Sequence, residues 1–246
     1  MKRKIYSLCI LLLFSSMAFS QTKGRVTYRI ISEQLTSDEN DTSRKTFVKV
    51  MNNMSAIRDS IALNLDFNKL ESIFYVDENT NIGLSDRNRY SSIMRSLNWY
   101  YRNDGTKTAL ERINSDKIYL VNSKTTDVIW NITNERKMIG KYNCIKAKTI
   151  VSAYTMTRGL FKKEIEAWFC PEIPIGLGPK NYGGLPGLIM ELTDGKLKYY
   201  VKSLNLNPDF EIEIKKPVKG KLISQEEFFK AQPMITRENI KEYINN

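Results

Sequence analysis

Apolar and polar residues alternate along most of this chain, a pattern typical of short β-strands. Gly24 to Ile31 places Val26, Tyr28 and Ile30 on one face, which predicts an opening strand. Turn residues separate further alternating segments, and Thr193-Asp194-Gly195 predicts a hairpin turn between the last two of them. The predicted strands lie near residues 63–67, 73–76, 98–102, 107–113, 116–122, 127–132, 137–153, 162–170, 187–193 and 196–205.

A few segments instead have the spacing or the capping residues of helices. Apolar residues recur at helical intervals between Phe47 and Ile57, which predicts an amphipathic helix near residues 43–57. A second short helix is predicted between Tyr90 and Leu97. Ser224 with Glu227 forms a capping box that predicts a tail helix, and Thr236 is a candidate cap for another.

Strands greatly outnumber helices, and no β-α-β rhythm appears. The predicted fold class is therefore mainly β (α+β): one curved antiparallel sheet, half-barrel or sandwich-like, with a few covering helices. No linker or change in composition divides residues 21–246, which predicts a single β-rich domain.

The first twenty residues have the build of a secretory signal peptide. Lys2, Arg3 and Lys4 precede an apolar run from Ile5 to Phe14, and Ala18 and Ser20 supply small residues before a cleavage site at Gln21. The run is shorter than the ~20 residues that span a bilayer. We expect a mature chain, Gln21–Asn246, that is periplasmic or secreted and has no transmembrane segment.

Composition excludes several kinds of chemistry. The chain has no histidine, so it has no Ser-His-Asp triad, no Cys-His pair and no His-ligated zinc. Subtracting the three positive charges of the leader from the net charge of +11 leaves +8. The lysines are interleaved with acids, so solvated faces are favoured over an anion site, and we expect no nucleic-acid partner. We also expect no cofactor.

The two cysteines of the mature chain fall on one predicted hairpin. A hairpin centred on Thr157 pairs positions whose numbers sum to 314, which places Cys144 opposite Cys170 and Lys146 opposite Trp168. Opposite residues in such a ladder have Cα atoms ~4.5–5.5 Å apart, within the range of a disulfide. The pattern favours a Cys144–Cys170 disulfide; two reduced buried thiols and a soft-metal pair are the alternatives, and we predict no metal site.

The most unusual part of the sequence is a proline- and glycine-rich stretch from Pro171 to Pro186, here named the Pro/Gly segment. It leads into the hexapeptide Gly184-Leu-Pro-Gly-Leu-Ile189. The chain resembles the GLPGLI family of secreted bacterial envelope proteins, which carries that hexapeptide. Supporting motifs are Tyr142-x-Cys-x-Lys-Ala147, Trp168-Phe169, Pro171-Glu-Ile-Pro174 and Gly178-Pro179. The resemblance implies an envelope location and supplies no catalytic residue.

Two roles are open for the Pro/Gly segment. It can cross one end of the sheet and tuck Leu185, Leu188 and Ile189 into the core. It can also form a rim that binds a ligand or partner, and the candidate binding residues are Trp168, Glu172, Tyr182, Leu185 and Pro186. The structural role is favoured, although one segment can serve both.

We expect a non-enzymatic envelope protein, specifically a protein-binding accessory of outer-membrane assembly or transport. The first alternative is a carrier of a lipid or lipoprotein-like apolar ligand, for which Met51, Met54 and Met94 would offer an adaptable surface. The second is a hydrolase that uses a carboxylate pair drawn from Glu164, Glu166 and Glu172.

Overall fold

A computed structural model describes residues 23–36, 42–77, 98–114 and 117–234 of the chain. These residues form twelve strands and two helices. The helices are α1 (Thr42–Ser60) and α2 (Gln225–Ala231). The strands are β1 (Gly24–Ser32), β2 (Leu63–Phe67), β3 (Glu71–Val76), β4 (Trp99–Asn103), β5 (Thr108–Asn114), β6 (Ile118–Lys124), β7 (Asn131–Ile139), β8 (Tyr142–Thr155), β9 (Gly159–Cys170), β10 (Leu188–Asp194), β11 (Leu197–Leu206) and β12 (Lys221–Ser224).

All twelve strands belong to one sheet, in the order β12-β6-β5-β4-β3-β2-β1-β11-β10-β9-β8-β7. Neighbouring strands are antiparallel, except that β12 runs parallel to β6. The predicted mainly β fold with a curved sheet is therefore confirmed, and the parallel β12 makes the sheet mixed. Within the described residues the sheet is open, with β12 and β7 at its ends.

The concave face of the sheet carries the main core. Val26, Tyr28 and Ile30 point into it and are essentially fully buried, as the alternation in β1 predicts. Strand pairing continues this face across the sheet, where it holds the buried residues Leu63, Leu65, Phe74, Ala147, Ile165, Ala167, Phe169, Leu192 and Tyr199.

The β8–β9 hairpin has the predicted register throughout. Ile145 pairs with Phe169, and Lys148 pairs with Glu166. The ammonium of Lys146 lies 5.4 Å from the centre of the Trp168 ring, which is the cation–π contact that this register predicts. The hairpin could be predicted because the two-residue alternation of side chains and the position of the turn together fix which residues are paired.

The strands differ from the prediction in two places: β12 has no predicted counterpart, and the bounds of β7 and β8 are different. Instead of strands near 127–132 and 137–153, β7 spans Asn131–Ile139 and a tight turn separates it from β8. Gly140 lies in that turn with φ of 59°, a left-handed conformation that L-residues with a side chain rarely adopt. Gly140 therefore ends the strand that the alternation pattern continued through it.

Both helices predicted within the described residues are present. Helix α1 is anchored by its C-terminal half: Ser32 Oγ donates to Asp59 at 2.8 Å, and Met54 and Ile57 pack against the core. Helix α2 begins with the predicted capping box of Ser224 and Glu227. The helix predicted between Tyr90 and Leu97 and the cap at Thr236 lie outside the described residues. No helix in the described ranges combines the length and apolarity needed to cross a membrane.

Candidate functional site

A cleft of about 630 Å³ opens on the concave face, between strands β5 and β6 on one side and β8 and β9 on the other. The Pro/Gly segment and helix α2 complete its walls. This volume is in the range of sites that bind small ligands, about 300–1,000 Å³. The cleft is therefore the candidate functional site.

The Pro/Gly segment folds into the concavity of the sheet. Four of its aliphatic side chains are buried there: Ile173, Ile175, Leu177 and Leu185. The backbone of the segment is tied to itself and to the sheet, since Gly184 N–H donates to Gly176 O at 2.8 Å and Trp130 Nε1 donates to Gly183 O at 2.9 Å. The buried arginine Arg102 donates to Asn181 O at 3.3 Å. These bonds hold residues 180–182 at the inner end of the cleft. The region where Lys163, Lys180 and Asp194 meet is here called the floor of the cleft.

Two lysines share one carboxylate at this floor. Asp194, at the end of β10, has a side chain that is only 3% exposed, and it pairs with both Lys163 of β9 and Lys180 of the Pro/Gly segment. Lys180 also lies 5.5 Å from the centre of the Tyr199 ring. Its own φ is 57°, so the backbone takes a left-handed conformation to bring this ammonium to Asp194.

The surroundings keep these groups charged. Burial alone would raise the pKa of Asp194, but the positive charges of Lys180 and Lys163 outweigh it and lower that pKa below its usual value. Burial alone would lower the pKa of Lys180, but the acidic groups around it raise it well above its usual value, and the Asp194 carboxylate is the one that is charged at neutral pH. An ammonium and a carboxylate therefore persist here at neutral pH.

Tyrosines and a second carboxylate surround the lysine pair. Tyr182 lines the cleft and packs edge to face on Trp130, with ring centres 6.1 Å apart. Burial raises the pKa of Tyr182, so its hydroxyl stays protonated at neutral pH. Glu111 also lines the cleft, and it accepts a hydrogen bond from Asn98 Nδ2 at 2.6 Å.

Helix α2 contributes aromatic side chains to a second part of the cleft lining. Phe228 packs on Tyr119 of β6, with ring centres 5.4 Å apart, and Phe229 stacks on Tyr154 of β8 at 6.1 Å. The helix thus touches both arms of the curved sheet. Ile113 of β5 and Val121 of β6 also line the cleft, and Val151 of β8 lines it beside Lys163.

The five binding residues predicted from the sequence lie in different parts of the structure. Tyr182 lines the cleft, Leu185 is buried in the core and Pro186 is exposed. Trp168 lies on the convex face, where the Lys137 ammonium is 4.3 Å from its ring centre. Glu172 accepts the Asn143 N–H at 3.1 Å, away from the cleft. The five residues therefore do not form one surface.

The other sequence candidates also lie outside the cleft. Glu164 and Glu166 face the convex side, where they bind Lys148 at 3.0 Å and Lys146 at 2.9 Å. Neither Met51 nor Met54 lines the cleft, and Met94 is outside the described residues. Within the described ranges, no three Cys, Asp or Glu side chains are close enough together to hold a metal ion.

The two cysteines are free thiols in this structure, so the predicted disulfide is not formed. Both are fully buried, and the predicted register brings their side chains into contact. Burial, together with the neighbouring Cys170 sulfur, raises the pKa of Cys144 to about 12. Of the alternatives considered for this pair, the structure shows two reduced buried thiols.

The sequence missed the central residues of the cleft. The hairpin signal Thr193-Asp194-Gly195 predicts Asp194 in a turn, whereas the turn consists of Gly195 and Lys196. Alternation is the signal that could have found two of these residues, since Asp194 lies two residues after the inward-facing Leu192 and Lys163 lies two residues before the inward-facing Ile165. No local pattern distinguishes Lys180 from a solvated lysine.

Comparison with known proteins gives one family match. A family described as "Protein of unknown function (Porph_ging)" matches residues 159–191, which include β9, the Pro/Gly segment and the start of β10. The chain is thus similar in this region to a bacterial family of unknown function. None of the curated proteins matches the chain.

Two solved structures resemble the fold distantly, and both are of PNGF-II. The structure in space group C2 has a TM-score of 0.47 and 13% sequence identity, and the match covers 91% of this chain and 32% of that chain. The structure in space group P21 has a TM-score of 0.49 and 13% identity, with coverage of 85% and 32%. This chain spans about a third of the length of those chains.

Proposed function

We propose that this chain is a non-enzymatic binding protein of the bacterial envelope and that the concave cleft is its binding site. The observation that carries the proposal is the Lys163–Asp194–Lys180 cluster on the cleft floor. Its pKa shifts keep Asp194 ionised and Lys180 protonated at neutral pH. General acids and bases work best with a pKa near the working pH, so this floor is suited to holding a ligand rather than to moving protons.

The envelope location is part of the proposal. It rests on the leader at residues 1–20 and on the resemblance to the GLPGLI family. The matched region, residues 159–191, contains the GLPGLI hexapeptide and two of the three residues of the floor cluster, Lys163 and Lys180. In the accessory role, the cleft would receive part of a protein that takes part in outer-membrane assembly or transport.

A carrier of an apolar ligand is the second candidate, and the apolar wall of the cleft favours it. Phe228, Phe229, Ile113 and Val121 offer the surface that such a ligand needs. The hydrolase alternative has no comparable support, because Glu164 and Glu166 are bound to lysines on the convex face.

Site-specific photocrosslinking in the producing bacterium tests the proposal. A benzophenone amino acid replaces Ser123, a half-buried residue that lines the cleft, or Lys148, a partly exposed residue of the convex face. We expect adducts from position 123 and none from position 148, identified by intact mass. A protein-sized adduct supports the accessory role, and an adduct of a few hundred daltons supports the carrier. Equal adducts at both positions, or none at either, contradict the proposal.

A further inference from the structure

The lining of the cleft has two chemically different parts. Its floor presents two ammonium groups, from Lys163 and Lys180, whose shared acidic partner is Asp194. Helix α2 contributes the aromatic rings of Phe228 and Phe229. A single ligand that fills the cleft therefore meets both positive charge and aromatic surface.

The charge at the lysine end is only partly balanced. Asp194 contributes one negative charge against two positive ones, and its side chain is 3% exposed, so it is turned away from solvent. The lysine side chains are 30% and 22% exposed and line the cleft. A negatively charged group entering from the cleft therefore approaches ammonium groups before it approaches the carboxylate, and partial burial reduces screening by water.

The other charged groups of the cleft lie toward its rim or have polar partners. Lys162 bonds to Ser152 Oγ at 3.0 Å, and this pair alternates with the cleft-facing pair Lys163 and Val151, so the Lys162 ammonium lies on the convex face. Glu111 bonds to Asn98, and Asp127 accepts the Lys124 backbone N–H at 2.9 Å. The two ammonium groups that meet Asp194 on the cleft side are therefore those of Lys163 and Lys180.

We propose that the ligand of this cleft is an amphipathic anion, whose carboxylate or similar head binds Lys163 and Lys180 while its apolar tail packs on the wall formed with α2. This inference rests on the proposed binding function and adds the chemical class of the ligand. Such a ligand would contact both kinds of surface. A fully apolar ligand would leave the lysines unused, and a small inorganic anion would leave the apolar surface unused.

Calorimetric titration of the purified mature chain with matched probes tests the inference. Decanoate carries head and tail, acetate carries the head alone, and decyltrimethylammonium carries the same tail with the opposite charge. We expect decanoate to bind at least tenfold more tightly than either of the other probes. Acetate binding as tightly as decanoate would show that the tail contributes nothing and would overturn the inference.

Variants separate this inference from the binding function on which it rests. Lys163→Gln removes one charge and keeps a hydrogen-bond donor near Asp194, and Lys148→Gln makes the same charge change on the convex face. We expect Lys163→Gln to weaken decanoate binding roughly tenfold, the effect of losing one charge-assisted hydrogen bond. Lys148→Gln should leave it unchanged, and Val151→Thr should weaken it by adding a polar atom to the apolar wall.

The remaining outcomes test the ligand class and the binding function separately. If decanoate and decyltrimethylammonium bind equally and Lys163→Gln changes neither, the cleft binds apolar tails and the anionic class is wrong. If none of the probes binds while position 123 still crosslinks to a partner in cells, the binding function stands and the ligand class is wrong. If nothing binds and nothing crosslinks, both are wrong.

Discussion

Tyr28 donates its hydroxyl proton to the carbonyl oxygen of Ile189, 2.7 Å away, although the two residues are 161 positions apart. Both side chains are fully buried. Burial raises the pKa of Tyr28, so the hydroxyl remains a donor across the usual pH range. This bond joins the first strand of the sheet to the end of the GLPGLI hexapeptide.

Replacing Tyr28 with Phe removes that donor and leaves a buried carbonyl without its partner. We expect the free energy of unfolding to fall by about 1–3 kcal/mol, measured by urea denaturation. Tyr75→Phe serves as the comparison, because the Tyr75 hydroxyl is half-buried and Asp66, to which it donates, also has Arg25 as a partner. A loss for Tyr28→Phe no greater than that for Tyr75→Phe would contradict the importance of the bond.

Gly187 is the glycine on which the Pro/Gly segment depends most. A Cβ at this position would lie 2.1 Å from the carbonyl oxygen of Cys170, so the backbone of β9 or β10 would have to move. We expect Gly187→Ala to cost about 3 kcal/mol or more in unfolding free energy. Gly195→Ala is the control: its Cβ meets nothing within 4 Å and the only cost, about 1–2 kcal/mol, comes from its left-handed φ. Equal losses would show that the close approach to Cys170 does not matter.

The raised pKa of Cys144 predicts slow alkylation of the native protein. A thiol with a pKa of about 12 is almost entirely protonated at pH 8, and only the thiolate attacks iodoacetamide. We expect no label on the folded mature chain, which has two of the three cysteines, and two labels after denaturation without reductant, as read by mass. Labelling that requires reductant would instead identify the Cys144–Cys170 disulfide that the hairpin register favours.

Asp194 should make stability depend on pH in acid. Its pKa is lowered on folding, so its contribution is fully present above its unfolded value near pH 4 and is lost as the pH falls through the lowered folded value. At pH 7 we expect Asp194→Asn to cost about 3–5 kcal/mol, since two lysines lose their buried partner. The difference from wild type should narrow below about pH 4. Glu164→Gln, at an exposed pair, should change stability by less than about 1 kcal/mol at any pH.

Helix α2 should detach more easily than the sheet. None of its residues is buried, and its hold on β8 consists of the Phe229–Tyr154 stack and hydrogen bonds from the Tyr154 hydroxyl to the Gln232 and Pro233 carbonyls. We expect Phe229→Ala to speed proteolytic cleavage near residues 221–234 at least several-fold with little change in melting temperature. Lys230→Ala, on the exposed side of the same helix, should not.

The sheet could be predicted from the sequence wherever one local pattern decided the structure. The β8–β9 register follows from the position of Thr157 and from alternation, and the capping box at Ser224 is a local signal. The end of β7 was misplaced because Gly140 interrupts an alternation that otherwise continues. The cleft could not be predicted in this way, because Lys180 reaches Asp194 only through the tertiary course of the Pro/Gly segment, which short-range patterns do not encode.

The position of the Pro/Gly segment along the chain sets an order of assembly. The strands from β1 to β6 are complete by residue 124, whereas the segment that fills their concavity begins at residue 171. In a chain that emerges from its N-terminus, Tyr28 precedes Ile189 by 161 residues. The apolar concave face of the N-terminal half therefore stays uncovered until the hexapeptide has emerged.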